Sequence, residues 1–144
     1  MTEIKDLTVN PGITLRKAME VLSRTAEKCL LVVDHEQELL GTLTDGDIRR
    51  NILNGVEVTA TIEQVYNGAP VTLKEGHYSK SEARELLLRH RIDFLPVLDR
   101  HDRVTGYLSW EQLVDEVALP KKKTLLTPVI IMAGGKGARL EPFT

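Results

Sequence analysis

The chain has 144 residues, which suits one medium-sized domain or two small ones. Its formal net charge is -2 and no block of five like charges occurs, which argues against nucleic acid as a partner. No apolar stretch approaches the roughly 20 residues that span a bilayer, so no membrane partner is expected. With a single cysteine, Cys29, and no recognisable signal peptide, an internal disulfide is excluded and a cytoplasmic location is expected.

An internal repeat organises most of the chain. The segment 30–34 (LLVVD) reappears as 95–99 (LPVLD), and the segment 41–44 (GTLT) reappears as 106–109 (GYLS). The members of each pair are 65 positions apart. Self-similarity at a fixed offset indicates two copies of one structural unit.

The starts of the two copies match at a shorter offset. The matches 58 positions apart are Thr14-Leu15 with Thr72-Leu73, and Ile4 and Leu7 with Ile62 and Val65. A seven-residue insertion near residues 74–80 reconciles the two offsets, so the second copy is predicted to be longer at that point.

Each copy is predicted to be a β-α-β-β-α unit, so the fold class is α/β (α+β). The central strand of each copy, 29–33 or 94–98, is apolar throughout, which indicates burial on both faces. The strand that follows ends at Thr44 or Ser109. Units of about 60 residues are marginal alone, so the two copies are expected to pack as a quasi-symmetric pair.

Two helices are predicted in each copy. The apolar faces of the first helices are formed by two sets of residues: Leu15, Ala18, Met19 and Leu22, and Ala83, Leu86, Leu87 and His90. The last helices cover about residues 45–53 and 110–117, and Gly55 is placed to end the former at its C-terminus.

The ordered duplication resembles a tandem pair of CBS domains, also called a Bateman module. The resemblance rests on the leading Thr-Leu, the Leu-x-Val-x-Asp strand, and the sequence Gly-x-Leu-Thr/Ser-x-x-Asp before the last helix. It divides the chain into one CBS repeat over 1–58, a second over 59–119 and a linker over 120–127. The family implies clefts between the repeats that bind a small-molecule adenine nucleotide (AMP, ADP or ATP), and modules that form homodimers.

The segment 44–47 (TDGD) places a hydroxyl and a carboxylate at the N-terminus of a predicted helix. A carboxylate accepts hydrogen bonds from both ribose hydroxyls, and a helix N-terminus favours a nearby phosphate. In nucleotide-binding members of the family it resembles, the residues matching Thr44 and Asp47 hold the ribose. Arg49 and Arg50 lie just beyond and are expected to reach phosphate oxygens.

Helix capping is an alternative interpretation of the same residues. Thr-x-x-Asp is close to the capping box, which needs no ligand and contributes about 1 kcal/mol. The second copy has Ser109 and Gln112 at these positions. A neutral amide holds a diol less well than a carboxylate does, so this pair is interpreted as a cap. If one nucleotide binds per pair, it is therefore expected at Asp47.

The remaining polar residues predict no further site. Residues 89–91 (RHR) end a helix, where basic side chains are favoured by the helix dipole and are usually solvated. Phosphate binding in the cleft is the alternative for them. The four histidines and Cys29 lack the spacing of metal ligands, so no metal site is predicted, and no catalytic triad is recognisable.

A second resemblance lies in residues 128–144, where a predicted strand (PVIIMA) runs into the sequence GGKGARLEPFT. The sequence is similar to the signature of sugar-1-phosphate nucleotidyltransferases. This similarity implies that Gly134, Gly135, Gly137 and Arg139 belong to a loop that binds a nucleoside triphosphate, and that Arg139 assists the departure of pyrophosphate. It also implies Mg²⁺ in the full-length enzyme, of which residues 128–144 would be the truncated start of the catalytic domain.

The sequence thus predicts a regulatory module of a sugar-1-phosphate nucleotidyltransferase that senses adenine nucleotides. The parent enzyme would convert a nucleoside triphosphate and a sugar 1-phosphate to a nucleoside diphosphate sugar and pyrophosphate. A guanylyltransferase that acts on mannose 1-phosphate is favoured by analogy. The alternative is a structural module that binds no ligand and only assembles oligomers. The chain alone, without most of an active site, is expected not to be catalytic.

Overall fold

The computed structural model describes residues 3–115, which form two similar units. Each unit contains a three-stranded sheet with helices, which confirms the α/β class. The elements in chain order are α1 (Ile4–Leu7), β1 (Thr8–Val9), α2 (Leu15–Thr25), β2 (Cys29–Val33), β3 (Leu39–Thr44), α3 (Asp45–Leu53), a 3-10 turn (Ile62–Gln64), β4 (Leu73–Lys74), α4 (Lys80–His90), β5 (Phe94–Leu98), β6 (Val104–Ser109) and α5 (Trp110–Asp115). Apart from the short α1 and the 3-10 turn, both units have the predicted order β-α-β-β-α. The linker and the segment predicted to begin a nucleotidyltransferase domain lie outside the described residues.

The two sheets have the same topology. The central strand β2 pairs in parallel with β1 and antiparallel with β3, and β5 pairs likewise with β4 and β6. The antiparallel register shifts once in each sheet, after Val32 and after Val97. These two residues are 65 positions apart, so the repeat extends to the irregularities of the sheets.

The central strands are buried at all five of their residues, as predicted. Successive side chains of a strand point to opposite faces of the sheet. Leu30 and Val32 therefore join the core between the first sheet and its helices, whereas Leu31 joins a separate cluster with Leu7 and Phe94. This shared cluster contains residues of both repeats. Each buried leucine contributes about 1.5–3 kcal/mol, so the shared cluster holds the repeats together.

The buried face of α2 differs from the prediction at one position. Leu15, Ala18 and Leu22 are buried as predicted, but Val21 is buried in place of Met19, which is 41% exposed. Val21 lies three residues after Ala18, so it shares that face of a helix with 3.6 residues per turn, and Met19 lies outside it.

The buried face of α4 is also narrower than predicted. Ala83 and Leu87 are buried and Leu86 is partly buried, but His90 is exposed at the last residue of the helix. A helix terminus lies beyond the core that the middle of the helix covers, so the apolar periodicity stops short of His90.

Gly55 ends α3 as predicted. Its φ of +92° is a left-handed conformation that favours glycine. Its N–H donates to the Ile52 carbonyl at 2.9 Å, and the Val56 N–H donates to the Asn51 carbonyl at 3.0 Å. These two bonds form a Schellman motif, which satisfies carbonyls at the helix end.

The seven-residue insertion lies at residues 66–72 and not at the predicted position, 74–80. Strand β4 lies 65 positions after β1, and Ser79 caps α4 as Thr14 caps α2, also 65 positions earlier. The match of Thr14 with Thr72 was therefore wrong, because serine caps a helix as well as threonine does. The predicted boundary between residues 58 and 59 stays a prediction, although Ile62 beyond it packs in the core of the first repeat.

The inserted segment packs against β3 at a glycine. Asn67 and Thr42 exchange two backbone hydrogen bonds, of 2.8 and 3.0 Å. A Cβ atom built on Gly41 would lie 2.3 Å from the Asn67 carbonyl oxygen and 2.5 Å from the ring of Tyr66. Only glycine lets the insertion approach β3 this closely.

We expect Gly41→Ala to destabilise the chain, because the new methyl group would collide with the backbone of the insertion. Overpacking of this kind costs about 1–3 kcal/mol, which chemical denaturation would measure as a lower unfolding free energy. Gly106→Ala is the matched control in the second repeat. A Cβ atom there meets Val97 at 3.7 Å, an ordinary contact, so stability should change little. Equal losses of unfolding free energy in the two variants would show that the close approach of the insertion does not require glycine at position 41.

Candidate functional site

A cleft of about 750 Å³ opens between the two repeats. Four parts of the chain line it: the start of β2, the region where β3 leads into α3, the insertion, and the junction of α4 with β5. The lining residues are Lys28, Cys29, Thr42, Thr44, Asp45, Gly46, Asp47, Arg50, Asn67, Ala69, Pro70, Val71, His90, Arg91, Ile92, Asp93, Phe94 and Pro96. The cleft therefore needs both repeats, and its walls include the N-terminus of α3.

Thr44 and Asp47 form a complete capping box at the start of α3. The Asp47 N–H donates to Thr44 Oγ1 at 3.2 Å, and the Thr44 N–H donates to Asp47 Oδ2 at 2.9 Å. The Thr44 hydroxyl also donates to Asp47 Oδ2, at 2.6 Å. The capping interpretation is confirmed by these bonds. They do not decide against a ligand, because both side chains also line the cleft.

The two arginines of α3 have different partners. Arg50 donates to Asp47 Oδ1, and it lines the cleft. Arg49 donates to Asp45 at 2.5 Å and is not among the lining residues. Of the residues singled out in this region, the structure brings Thr44, Asp47 and Arg50 together at the cleft and leaves Arg49 outside. Gly134, Gly135, Gly137 and Arg139, of the second predicted site, lie outside the described residues.

The opposite wall adds basic side chains and apolar surface. His90 and Arg91 line the cleft. Both are also exposed at the end of α4, so the two interpretations of residues 89–91, a solvated helix end and a wall of the cleft, are both correct for these residues. The ammonium of Lys28 lies 3.8 Å from the Asp93 carboxylate, and both side chains are mostly exposed. Apolar lining comes mainly from Phe94, Pro96, Ile92, Pro70 and Val71. An apolar wall, a carboxylate and separate cations are what a base, a ribose and a phosphate require.

Cys29 lies at the buried floor of the cleft. Burial, and then the nearby Asp47 carboxylate, raise the pKa of its thiol to about 12. The thiolate is the reactive form, so Cys29 is an inert apolar residue at neutral pH, in agreement with its predicted burial.

The second repeat has an equivalent cleft that is almost filled. Its volume is about 50 Å³. Its lining residues correspond to those of the first cleft at an offset of 65 positions: Ala26, Glu27, Lys28, Asp93, Phe94, Ser109, Trp110 and Glu111. Larger side chains occupy this side: Phe94 stands where the first repeat has Cys29, Tyr107 where it has Thr42, and Trp110 where it has Asp45.

The aromatic side chains of the second cleft are fixed in place. The rings of Phe94 and Tyr107 stack with their centroids 4.7 Å apart and their planes 10° apart. The Tyr107 hydroxyl donates to Glu27 Oε1 at 3.1 Å, and burial and then this carboxylate raise the pKa of Tyr107. Glu27 belongs to the first repeat, so the bond links the two repeats across the filled cleft.

The second repeat also carries the predicted cap. The Ser109 N–H donates to Gln112 Oε1 at 3.0 Å, and the Gln112 N–H donates to Ser109 Oγ at 3.3 Å. The sequence interpretation relied on the missing carboxylate at Gln112 and overlooked Tyr107 and Trp110. It also overlooked residues 67–71, because the insertion was placed after them. Comparing side-chain size at matched positions would have revealed the filled cleft.

Residues 3–115 contain no group of three or more His, Cys, Asp or Glu side chains placed to hold a metal ion. None of the helices in this part of the chain is both long and apolar enough to cross a membrane.

Comparisons with known proteins point to one family. The family model of the CBS domain matches residues 1–54 and 62–119. An uncharacterized protein of Helicobacter pylori is 32% identical over an alignment of 120 residues that covers 78% of this chain and 36% of that protein. The arabinose 5-phosphate isomerase GutQ of Escherichia coli is 32% identical over 92 residues, 64% of this chain and 28% of that enzyme. The chain thus spans about a third of the length of these relatives.

Solved structures share the fold. A putative signal-transduction protein with CBS domains from Burkholderia ambifaria aligns with a TM-score of 0.70 at 27% identity, over 82% of this chain and 86% of that chain. A CBS domain pair in complex with 5′-methylthioadenosine and S-adenosyl-L-methionine gives 0.67 at 23% identity, over 80% and 94%. CBSX2 in complex with AMP gives 0.66 at 21% identity, over 75% and 84%.

The environment of Cys29 predicts slow modification of its thiol. In the folded chain at pH 8, a disulfide reagent such as dithionitrobenzoate should react slowly, because the thiol is buried and its pKa is raised to about 12. In guanidinium chloride the thiol regains a pKa near 8.5, and one thiol per chain should react rapidly. Equally rapid reaction in buffer alone would show that the floor of the cleft is open.

Proposed function

Because the chain belongs to the CBS-domain family and carries two copies of the domain, we propose that it is a regulatory module that binds one adenine nucleotide. The ligand lies in the open cleft beside Thr44 and Asp47. The observation that carries this proposal is the contrast between an open cleft of about 750 Å³ and its equivalent of about 50 Å³. Similar solved structures that hold AMP, or 5′-methylthioadenosine and S-adenosyl-L-methionine, support the choice of ligand.

The cleft offers a separate surface to each part of a nucleotide. The Asp47 carboxylate supplies acceptors for the ribose hydroxyls, with the Thr44 hydroxyl beside it. The apolar wall that includes Phe94 and Pro96 suits the faces of a purine. Arg50, Arg91 and the N-terminus of α3 favour phosphate. The proposed nucleotide site is therefore Thr44, Asp47 and Arg50, with Arg49 outside it.

A structural module without a ligand is the second candidate. The capping box favours it, because the box gives Thr44 and Asp47 a role in stability that needs no nucleotide. In that case both repeats would serve only to assemble oligomers. The two candidates differ in one observable, which is whether the chain binds an adenine nucleotide at all.

We further propose that residues 128–144 begin the catalytic domain of a sugar-1-phosphate nucleotidyltransferase, with a guanylyltransferase favoured. The support is the signature sequence that contains Gly134, Gly135, Gly137 and Arg139. The same similarity to the nucleotidyltransferase signature implies Mg²⁺ in that domain. The nucleotide would change the activity of the enzyme only through different affinities for its two states.

The 144-residue chain should release no pyrophosphate from any nucleoside triphosphate with sugar 1-phosphates, and turnover would refute this division of roles.

We also propose that the chain forms a homodimer in the cytoplasm. Besides the family resemblance, exposed apolar side chains support the dimer. Leu113 of α5 is buried in the core of the second repeat and offers no contact face. Large apolar side chains that are exposed are Met19, Leu53 and Leu88. Pairing of two chains is the commonest way to cover such side chains, so these residues support the dimer.

Replacement of Asp47 tests the nucleotide site. Asp47→Ala should weaken AMP binding about 10- to 150-fold in calorimetry, because a charged hydrogen-bond partner contributes about 1.5–3 kcal/mol. Gln112→Ala is the matched control, since it removes the equivalent cap residue of the second repeat and should leave affinity nearly unchanged.

Thermal unfolding separates loss of the cap from loss of the ligand. Both variants should lose similar stability without nucleotide, because each breaks one capping box. An Asp47→Ala chain that folds and binds AMP as tightly as the wild type would establish the structural module instead.

A further inference from the structure

Both oxygens of the Asp47 carboxylate already have hydrogen-bond partners. Oδ2 accepts from the backbone and the hydroxyl of Thr44, at 2.9 and 2.6 Å. Oδ1 accepts from the guanidinium of Arg50, one turn further along α3. Only 14% of the Asp47 side chain is exposed, whereas 73% of the Arg50 side chain is exposed. The bond to Arg50 is therefore the one that can change without moving the cap.

A ribose diol that takes the place of this guanidinium on Asp47 Oδ1 exchanges one hydrogen-bond partner of the carboxylate for another. A neutral hydroxyl makes a weaker hydrogen bond to a carboxylate than a charged guanidinium does. A nucleoside would therefore gain little by displacing Arg50. A phosphate group, in contrast, offers Arg50 a second anion with bidentate geometry, so that Asp47 is released to the ribose while Arg50 keeps a charged partner.

We propose that Arg50 is the specificity-determining residue of this cleft: it exchanges Asp47 for a phosphate of the ligand and thereby selects nucleotides over nucleosides. The inference rests on the proposed function of the cleft. The Arg50 side chain is long and mostly exposed, so it can turn toward the open cleft that it lines. Arg49, the preceding residue, is held by Asp45 outside the lining.

Other basic side chains line the cleft and compete for the phosphate. Lys28 has Asp93 within 3.8 Å. His90 and Arg91 lie on the opposite wall. If these side chains alone bound the phosphate, removing Arg50 would leave the preference for nucleotides unchanged. The test therefore measures this preference, not affinity alone.

The experiment compares AMP with adenosine in calorimetric titrations of the whole chain. Arg50→Gln should weaken AMP binding roughly 10- to 150-fold, the loss of one charged hydrogen-bond partner. Adenosine binding should hold or become tighter, because its competitor for Asp47 is gone. Arg49→Gln, which removes the same charge one residue away, should leave both affinities unchanged. Arg50→Lys should give an intermediate preference, since lysine keeps the charge but lacks the bidentate fork.

Three outcomes would overturn the inference. Equal weakening of AMP and adenosine in Arg50→Gln would show that Arg50 only supports the shape of the cleft. An unchanged preference in Arg50→Gln would assign the phosphate to other cations. Failure of the wild-type chain to bind either compound would refute the proposed function, and this inference with it, whereas the first two outcomes leave the proposed function intact.

Discussion

The central strands β2 and β5 are buried along their whole length, and one unit alone cannot cover both faces of its own sheet. Within residues 3–115, the longer helices α2 and α3, and likewise α4 and α5, pack on one face of their own sheet. On the other face, Cys29, Leu31 and Phe94 lie in a cluster shared by the two repeats. Burial of the second face therefore requires the other repeat. This constraint sets the two repeats against each other and creates an equivalent cleft beside the start of the last helix of each.

The two clefts differ because side-chain size differs on a common backbone. The paired registers and the matched irregularities of the sheets show that the backbone repeats closely. Thr42 and Asp45 line the first cleft, whereas the matching positions of the second repeat carry the larger side chains Tyr107 and Trp110. The Tyr107 hydroxyl then bonds to Glu27 of the first repeat, so the filled cleft also joins the repeats. One side of the pair is thus suited to a ligand and the other to stability.

The sequence was sufficient to predict the elements that local physical chemistry determines. The central strands, the last helix of the first repeat and its end at Gly55 follow from apolar runs, capping residues and a glycine with positive φ. The position of the insertion could not be derived in this way, because Thr72 and Ser79 are equally good caps. The packing of Asn67 against Gly41 depends on distant residues meeting in space, which no local pattern records.

The candidate site was predictable only in part, for a related reason. Thr44 and Asp47 mark the helix start in the sequence, but a capping box and a ribose site use the same atoms. The pairing of Arg50 with Asp47, and of Arg49 with Asp45, depends on which way adjacent side chains of one helix turn. In the sequence, Gln112 alone indicated that the second repeat differs from the first. The larger side chains Tyr107 and Trp110 became significant only when the fold placed them beside the second cleft.

The proposed function requires the two repeats to form one usable nucleotide site per chain. The most direct measurement is the binding stoichiometry of AMP, by calorimetry or equilibrium dialysis at a known concentration of folded chain. We expect one AMP per chain, whether the chain is monomeric or paired. Two molecules per chain would show that the cleft beside Tyr107 and Trp110 is open in solution, and no binding would show that the capping box is the only role of Thr44 and Asp47.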